Sequence, residues 1–178
     1  MTKAELEQCI SAYGKDIYSF CVYLTGSIQE AEDLYQDTFL KAVEHTDRIR
    51  TDKNPKSYLL GTALHIWKSR KRKLAWRKRI VDMQSLTEEK DTGQWERMEQ
   101  SAETQFLQKE ETAAVIEAVA RLPQRYQIPV LLFYMEELSV AQIASVARIP
   151  IGTVKSRLYH ARKILEKELE VVLNEQRS

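Results

Sequence analysis

Apolar residues recur along this chain at three- and four-residue steps, the repeat of an amphipathic helix. Leu6, Cys9, Ile10, Tyr13, Ile17, Phe20, Cys21 and Leu24 share one stripe, which predicts a long first helix closed near Gly26 by a left-handed cap. Ser27 opens a second helix, with Glu30 three residues on as its capping-box partner. Along it Ala31, Leu34, Tyr35, Thr38, Phe39 and Ala42 can pack inward, while Glu32, Asp33, Gln36, Asp37 and Lys41 form a mostly acidic polar face. Arg48 to Asn54 is polar and reads as a loop. Asn54 then caps a third helix with Pro55 at its first position, where the missing N–H costs little. Tyr58, Leu59, Leu60, Ala63, Leu64 and Trp67 carry its apolar side, and it runs without a break into a basic segment.

Further on, Ala113, Ile116 and Ala120 predict a helix ending at Leu122-Pro123, and Val130, Leu131, Phe133 and Tyr134 the next, which Pro129 should start late or kink. Ser139 and Gln142 form a capping box for a short helix bearing Ile143, Ala144 and Ala147. Ile149-Pro150 ends it, because the residue before proline is pushed out of the α region. Gly152 supplies turn freedom and Thr153 is expected to cap the last helix. There Val154, Leu158, Ala161 and Leu165 repeat at helical spacing, leaving Lys155, Ser156, Arg157, Tyr159, His160 and Arg162 largely outside the apolar stripe. Ile80 to Lys109 has no steady apolar period. The expected fold class is all-α: two small helical domains, residues 1–80 and 110–178, joined by a flexible acidic linker at 81–109, the C-terminal domain containing a helix-turn-helix.

The formal net charge of +1 over 178 residues hides a strong segregation. Lys68 to Arg79 holds eight basic residues and no acidic one, whereas Asp82 to Glu111 holds nine acidic residues against Lys90, Arg97 and Lys109. No apolar run approaches the eighteen residues that would cross a bilayer. Cys9 and Cys21 fall on one predicted helix about 18 Å apart at 1.5 Å per residue, beyond disulfide reach within one chain. A cytoplasmic protein is expected. There is no Gly-rich phosphate loop, no metal-ligand cluster and no nucleophile–base pair of known spacing. His45, His65 and His160 lie in three separate segments, so neither an enzyme nor a cofactor or metal is expected.

The basic segments point instead to nucleic acid. Arg148 to Lys163 contains five Lys or Arg and no acid, and two helices around a tight turn, the second basic, form the pattern that places a recognition helix in a major groove. Arg and Lys can donate to guanine O6 and N7, and Ser and His can bond base edges or phosphates. The pattern alone would also serve a helical hairpin with a solvated basic face. In the third helix an apolar half leads into a densely basic end flanked by Trp67 and Trp76, which suits a phosphate-lined groove with aromatic stacking. Trp67 keeps register with the apolar face and is expected in the core.

With these segments in view the chain resembles the extracytoplasmic-function (group 4) sigma factors of bacterial RNA polymerase, within the sigma-70 family. Two motifs carry the resemblance: EAEDLYQDTFLKAVEH, Glu30 to His45, and LPQRYQIPVLLFYMEELSVAQIASVARIPIGTVKSRLYHARKIL, in which IGTVKSRLYHAR is highly specific. It covers nearly the whole chain, about residues 5–80 and 108–172 around a variable middle. It implies that Asp33, Gln36, Asp37 and Phe39 dock on core RNA polymerase. It implies that the Arg48–Asn54 loop and the helix Tyr58–Lys73 hold single-stranded −10 promoter DNA, with Asn54, His65, Lys68, Ser69, Arg70 and Arg72 as candidates. The commoner family pattern has Asn where His65 stands and Asp where Ser69 stands, so the bases read do not carry over with the mode of binding. Thr153, Lys155, Ser156, Arg157, Tyr159 and His160 match the helix that reads the double-stranded −35 element, with Arg162 as a phosphate contact. The resemblance further implies an anti-sigma factor, often membrane-bound, and a chain that is monomeric when free.

About thirty residues of linker can reach roughly 100 Å, enough for two promoter elements about 70 Å apart, or two turns of duplex. Family linkers thread the RNA exit path, where negative charge could stand in for RNA; a spacer separating two basic domains would look the same. Two other functions fit parts of the sequence. A stand-alone dimeric regulator would use the helix-turn-helix but leave the first half unexplained. An adaptor with a vestigial DNA face conflicts with Lys68–Arg79.

Overall fold

The computed structural model describes residues 2–49, 54–81 and 110–176. These form two compact units, divided within a stretch that includes the expected linker; residues 82–109 lie outside the described ones. The first unit holds α1 (Lys3–Thr25), α2 (Ile28–Glu44) and α3 (Pro55–Val81); the second holds α4 (Glu110–Arg121), α5 (Gln124–Val130), α6 (Val140–Ala147) and α7 (Ile151–Gln176). No strand occurs among the described residues, in keeping with the all-α expectation.

In the first unit the three helices pack on one another. Ile17, Phe20 and Cys21 of α1, Ala31, Leu34 and Ala42 of α2, and Leu59, Leu60, Ala63 and Leu64 of α3 close the core. Each fully buried Leu or Phe contributes about 1.5–3 kcal/mol, which explains why the inward stripes are so legible in the sequence. Thr38 is wholly buried and its hydroxyl donates to the Leu34 carbonyl, so no polar atom is stranded there. Gly26 takes φ 68° and closes α1 as expected. Thr2 and Glu5 add a complete capping box at the start of α1. At α2 the Ser27 hydroxyl accepts from the Glu30 N–H. Lys56 and Asp16 tie α3 to α1 across 2.8 Å.

The segment expected as a polar loop begins differently. Thr46–Arg48 forms a 3-10 turn and Ile49 is buried, because the one apolar side chain there can reach the core; residues 50–53 lie outside the described ones.

In the second unit α4, α5 and α6 all pack against α7. Pro129 does not delay its helix. α5 starts at Gln124 and runs through Pro129, which is buried. The N–H that proline lacks would have served Arg125, an exposed residue in the first turn, where water can substitute. The irregularity comes afterwards as a π turn over Leu131–Met135, with the Glu136 N–H donating to the Leu131 carbonyl. The turn leaves Tyr134 54% exposed instead of packed inward. The Ser139–Gln142 capping box is present in both directions.

The turn between α6 and α7 also departs from expectation. Arg148 supplies the left-handed residue, at φ 55°. α7 is already helical at Ile151, and the Val154 N–H donates to the Pro150 carbonyl, so Gly152 and Thr153 lie inside the first turn and Thr153 does not cap it. Pro150 suits this start, since its fixed φ is already helical.

Candidate polymerase and promoter interfaces

Three exposed surfaces collect the residues expected to be functional. On α2 the acidic face splits. Asp33 and Gln36 point to solvent, and Leu40 and Val43, seven and ten residues after Asp33, fall on the same stripe at 3.6 residues per turn. Leu40 is 61% exposed and Val43 also stands in solvent. Sequence reading passed over both, although their register with Asp33 and Gln36 was visible. Phe39, which the apolar stripe turns inward and the resemblance places at the polymerase, is 9% exposed and packs edge-on against Tyr35 at 4.8 Å. Its register with Leu34 and Tyr35 turns it inward. Asp37 is half-exposed and accepts a charge-assisted hydrogen bond from Arg70 of α3.

On α3 the residues expected at single-stranded DNA sort by helix face. His65, Ser69 and Arg72 follow each other at four- and three-residue steps, and Trp76 comes four later, forming one stripe. His65 and Arg72 are exposed and Trp76 is 66% exposed. The buried stripe Leu60, Ala63, Leu64 and Trp67 lies elsewhere on the helix. Trp67 is a core residue, as expected, with Lys71 over its ring at 4.8 Å. Lys68 is partly buried beside the stripe. Arg70 faces α2 and is engaged by Asp37, so it lies off the His65 stripe. Asn54 Oδ1 accepts from the Ser57 N–H at 3.3 Å, which occupies it as a helix cap.

On α7, Val154, Leu158 and Ala161 are sealed against α5 and α6, while Lys155, Ser156, Tyr159, His160 and Arg162 are exposed; Thr153 and Arg157 are partly buried on the flanks. The exposed groups are braced. Lys163 lies over the Tyr159 ring at 5.0 Å, and His160 sits between Tyr159 and Tyr126, at 5.5 and 6.2 Å. Arg125 lies over Tyr126 at 4.8 Å, adding an exposed cation that sequence reading did not single out. Arg162 Nε donates to the Tyr134 hydroxyl at 2.8 Å. That leaves its remaining N–H groups for another acceptor.

Among the described residues no group of His, Cys, Asp and Glu could hold a metal ion, and no helix is long and apolar enough to cross a membrane.

Two family profiles match the two units: Sigma-70 region 2 over residues 9–77 and Sigma-70 region 4 over residues 112–165. The chain belongs to the sigma-70 family. It is an RNA polymerase sigma factor of the extracytoplasmic-function type, a transcription initiation factor. The ECF RNA polymerase sigma factor SigW of Bacillus subtilis is 27% identical over 164 residues, covering 90% of this chain and 86% of that protein. The RNA polymerase sigma-H factor of Pseudomonas aeruginosa is 28% identical over 176 residues, covering 97% and 90%. In fold, this sigma factor resembles the sigma factor RpoE solved with the anti-sigma factor NepR from Bartonella quintana. The TM-score is 0.70 at 23% identity, over 94% of this chain and 98% of that one. It also resembles CnrH solved with the cytosolic domain of CnrY, with TM-score 0.66 at 16% identity over 96% and 90%.

Proposed function

We propose that the sigma factor divides its work among these three surfaces. The stripe Asp33, Gln36, Leu40 and Val43 on α2 docks on core RNA polymerase. The stripe His65, Ser69, Arg72 and Trp76 on α3, with Lys68 and Asn54 beside it, holds single-stranded −10 DNA. The exposed face of α7, with Lys155, Ser156, Tyr159 and His160 toward base edges and Arg162 toward phosphate, reads the −35 duplex. Thr153 and Arg157 flank that face. Accordingly residues 1–80 serve core and −10 binding and residues 110–178 serve −35 binding.

The observation that carries this assignment is the exposure of Leu40 beside Asp33 and Gln36. An apolar side chain held in solvent among acidic and amide groups fits a basic, partly apolar helical partner, and covering it recovers about 25 cal/mol per Å². A stand-alone regulator has no use for that surface. The polymerase supplies catalysis, so the sigma factor itself catalyses nothing and works in the cytoplasm, as a monomer when free. An anti-sigma factor, as in the RpoE–NepR complex, is proposed as its inhibitor; co-purification from the native host tests this, and persistent absence would remove it.

The direct test is reconstitution with sigma-free core RNA polymerase on a library of promoter fragments, scored by run-off transcripts. Asp33→Lys should abolish start-specific transcripts. Asp33 is the better reporter than Asp37, because Asp37 also holds Arg70. Tight binding to duplex DNA without any binding to core would overturn the proposal in favour of a stand-alone regulator.

A further inference from the structure

Two positions in the turn of the helix-turn-helix carry residues that the free protein would not choose. Arg148 caps α6 at φ 55°, ψ 48°. That left-handed region crowds a Cβ against the following carbonyl and is ordinarily left to Gly or Asn. Four residues later the opposite holds. Gly152 lies in the first turn of α7 without a positive φ, and a Cβ added there meets nothing within 4 Å. Glycine is the poorer helix former in such a place, and alanine would be more stable. The fold therefore requires neither the side chain at 148 nor the absence of one at 152.

Both residues are exposed. Gly152 heads the outward stripe of α7, since Ser156, Tyr159 and Lys163 follow it at four, seven and eleven residues, all of them exposed. Any body lying along that stripe meets Gly152 first, and Arg148 is exposed four residues earlier in the turn that leads into it. No Asp or Glu lies between Arg148 and Lys163, so a polyanion approaching this face meets no like charge.

We infer that promoter duplex dictates both choices. Gly152 is the point of closest approach between the α7 backbone and the DNA, where a methyl group would hold the helix off. Arg148 is a phosphate contact whose side chain is retained at the expense of backbone strain. The inference rests on α7 being the −35 helix and adds two residues to that interface. Neither contributes through the stability of the fold.

The test uses the full-length chain. Melting of the free protein is followed by circular dichroism. Promoter affinity of the reconstituted holoenzyme is measured across salt concentrations on a fragment selected by the wild type. Gly152→Ala and Arg148→Gly should each raise the melting temperature by roughly 2–5 °C and weaken promoter binding at least fivefold. Arg148→Gly should also lower the slope of log K against log salt by about 1, as loss of one phosphate contact does, and Gly152→Ala should not. Glu137→Gly is the control. Glu137 is exposed at φ 54° before α6, so relieving it should stabilise the chain and leave affinity within twofold.

Affinity within twofold of wild type for Gly152→Ala or Arg148→Gly overturns the inference, as does weakened binding accompanied by a lower melting temperature. Lys155→Ala separates this failure from a deeper one. If Lys155→Ala weakens binding and the turn variants do not, only the inference falls. If Lys155→Ala is also silent, α7 is not the −35 helix and both fall.

Discussion

Arg70 of α3 donates to the carboxylate of Asp37 on α2, joining two residues that the family resemblance assigns to different partners, DNA and polymerase. The pair sits where the two helices meet, with side chains 38% and 49% exposed. At that exposure an ion pair is worth no more than about 1 kcal/mol. Its larger consequence is geometric, because it removes Arg70 from the His65 stripe and fixes one edge of the α2 surface.

Arg70→Ala should therefore lower stability by at most about 1 kcal/mol in chemical denaturation. The charge swap Asp37→Arg with Arg70→Asp should recover that loss without recovering transcription, because a positive charge then stands at the edge of the proposed docking surface. Full recovery of run-off transcripts by the swap would reduce both residues to a structural pair.

Leu40 and Phe39 are neighbours in sequence with opposite surroundings. Leu40→Asp should change stability by less than about 0.5 kcal/mol and weaken binding to core polymerase at least tenfold. Phe39→Ala should cost about 3 kcal/mol or more, since it empties a site beside Tyr35. Paired denaturation and core-binding titrations check both. An unchanged core affinity for Leu40→Asp would remove the apolar component of the docking surface.

Tyr134 braces Arg162 through its hydroxyl. Tyr134→Phe should leave the melting temperature nearly unchanged and weaken promoter binding about two- to fivefold, because Arg162 loses its fixed orientation. Arg162→Ala should lower the salt slope of promoter binding by about 1. A slope equal to wild type would make Arg162 a brace for the π turn and not a phosphate contact.

Alkaline pH should destabilise the sigma factor. Burial pushes the Tyr23 and Tyr35 phenols and the Cys9 thiol upward. A folded-state pKa raised above the unfolded value contributes stability that is complete below the unfolded value and disappears as pH rises through the folded one. Urea unfolding should thus show a plateau below roughly pH 9 and a decline above it. Tyr35→Phe should flatten that decline, and an identical decline in the variant would assign it to other groups.

The sequence by itself determined the helices, their inward stripes and the family. An apolar side chain at three- and four-residue spacing has one place to go, and burial of Leu34, Leu64 or Val154 outweighs any competing local preference. The charge runs in α3 and α7 marked those two helices as candidate nucleic-acid surfaces. Tertiary structure decided how neighbouring residues on one helix divide between core, partner and ion pair. Gln36 stands in solvent while Asp37, a single 100° step away, is engaged by Arg70, and Arg70 differs from Ser69 by the same step. Which flank another helix covers depends on how α2 crosses α3, a quantity that periodicity within one helix does not contain. The turn at Arg148 lay further from view, since a left-handed arginine and an uncrowded helical glycine both run against the local preferences from which turns are read.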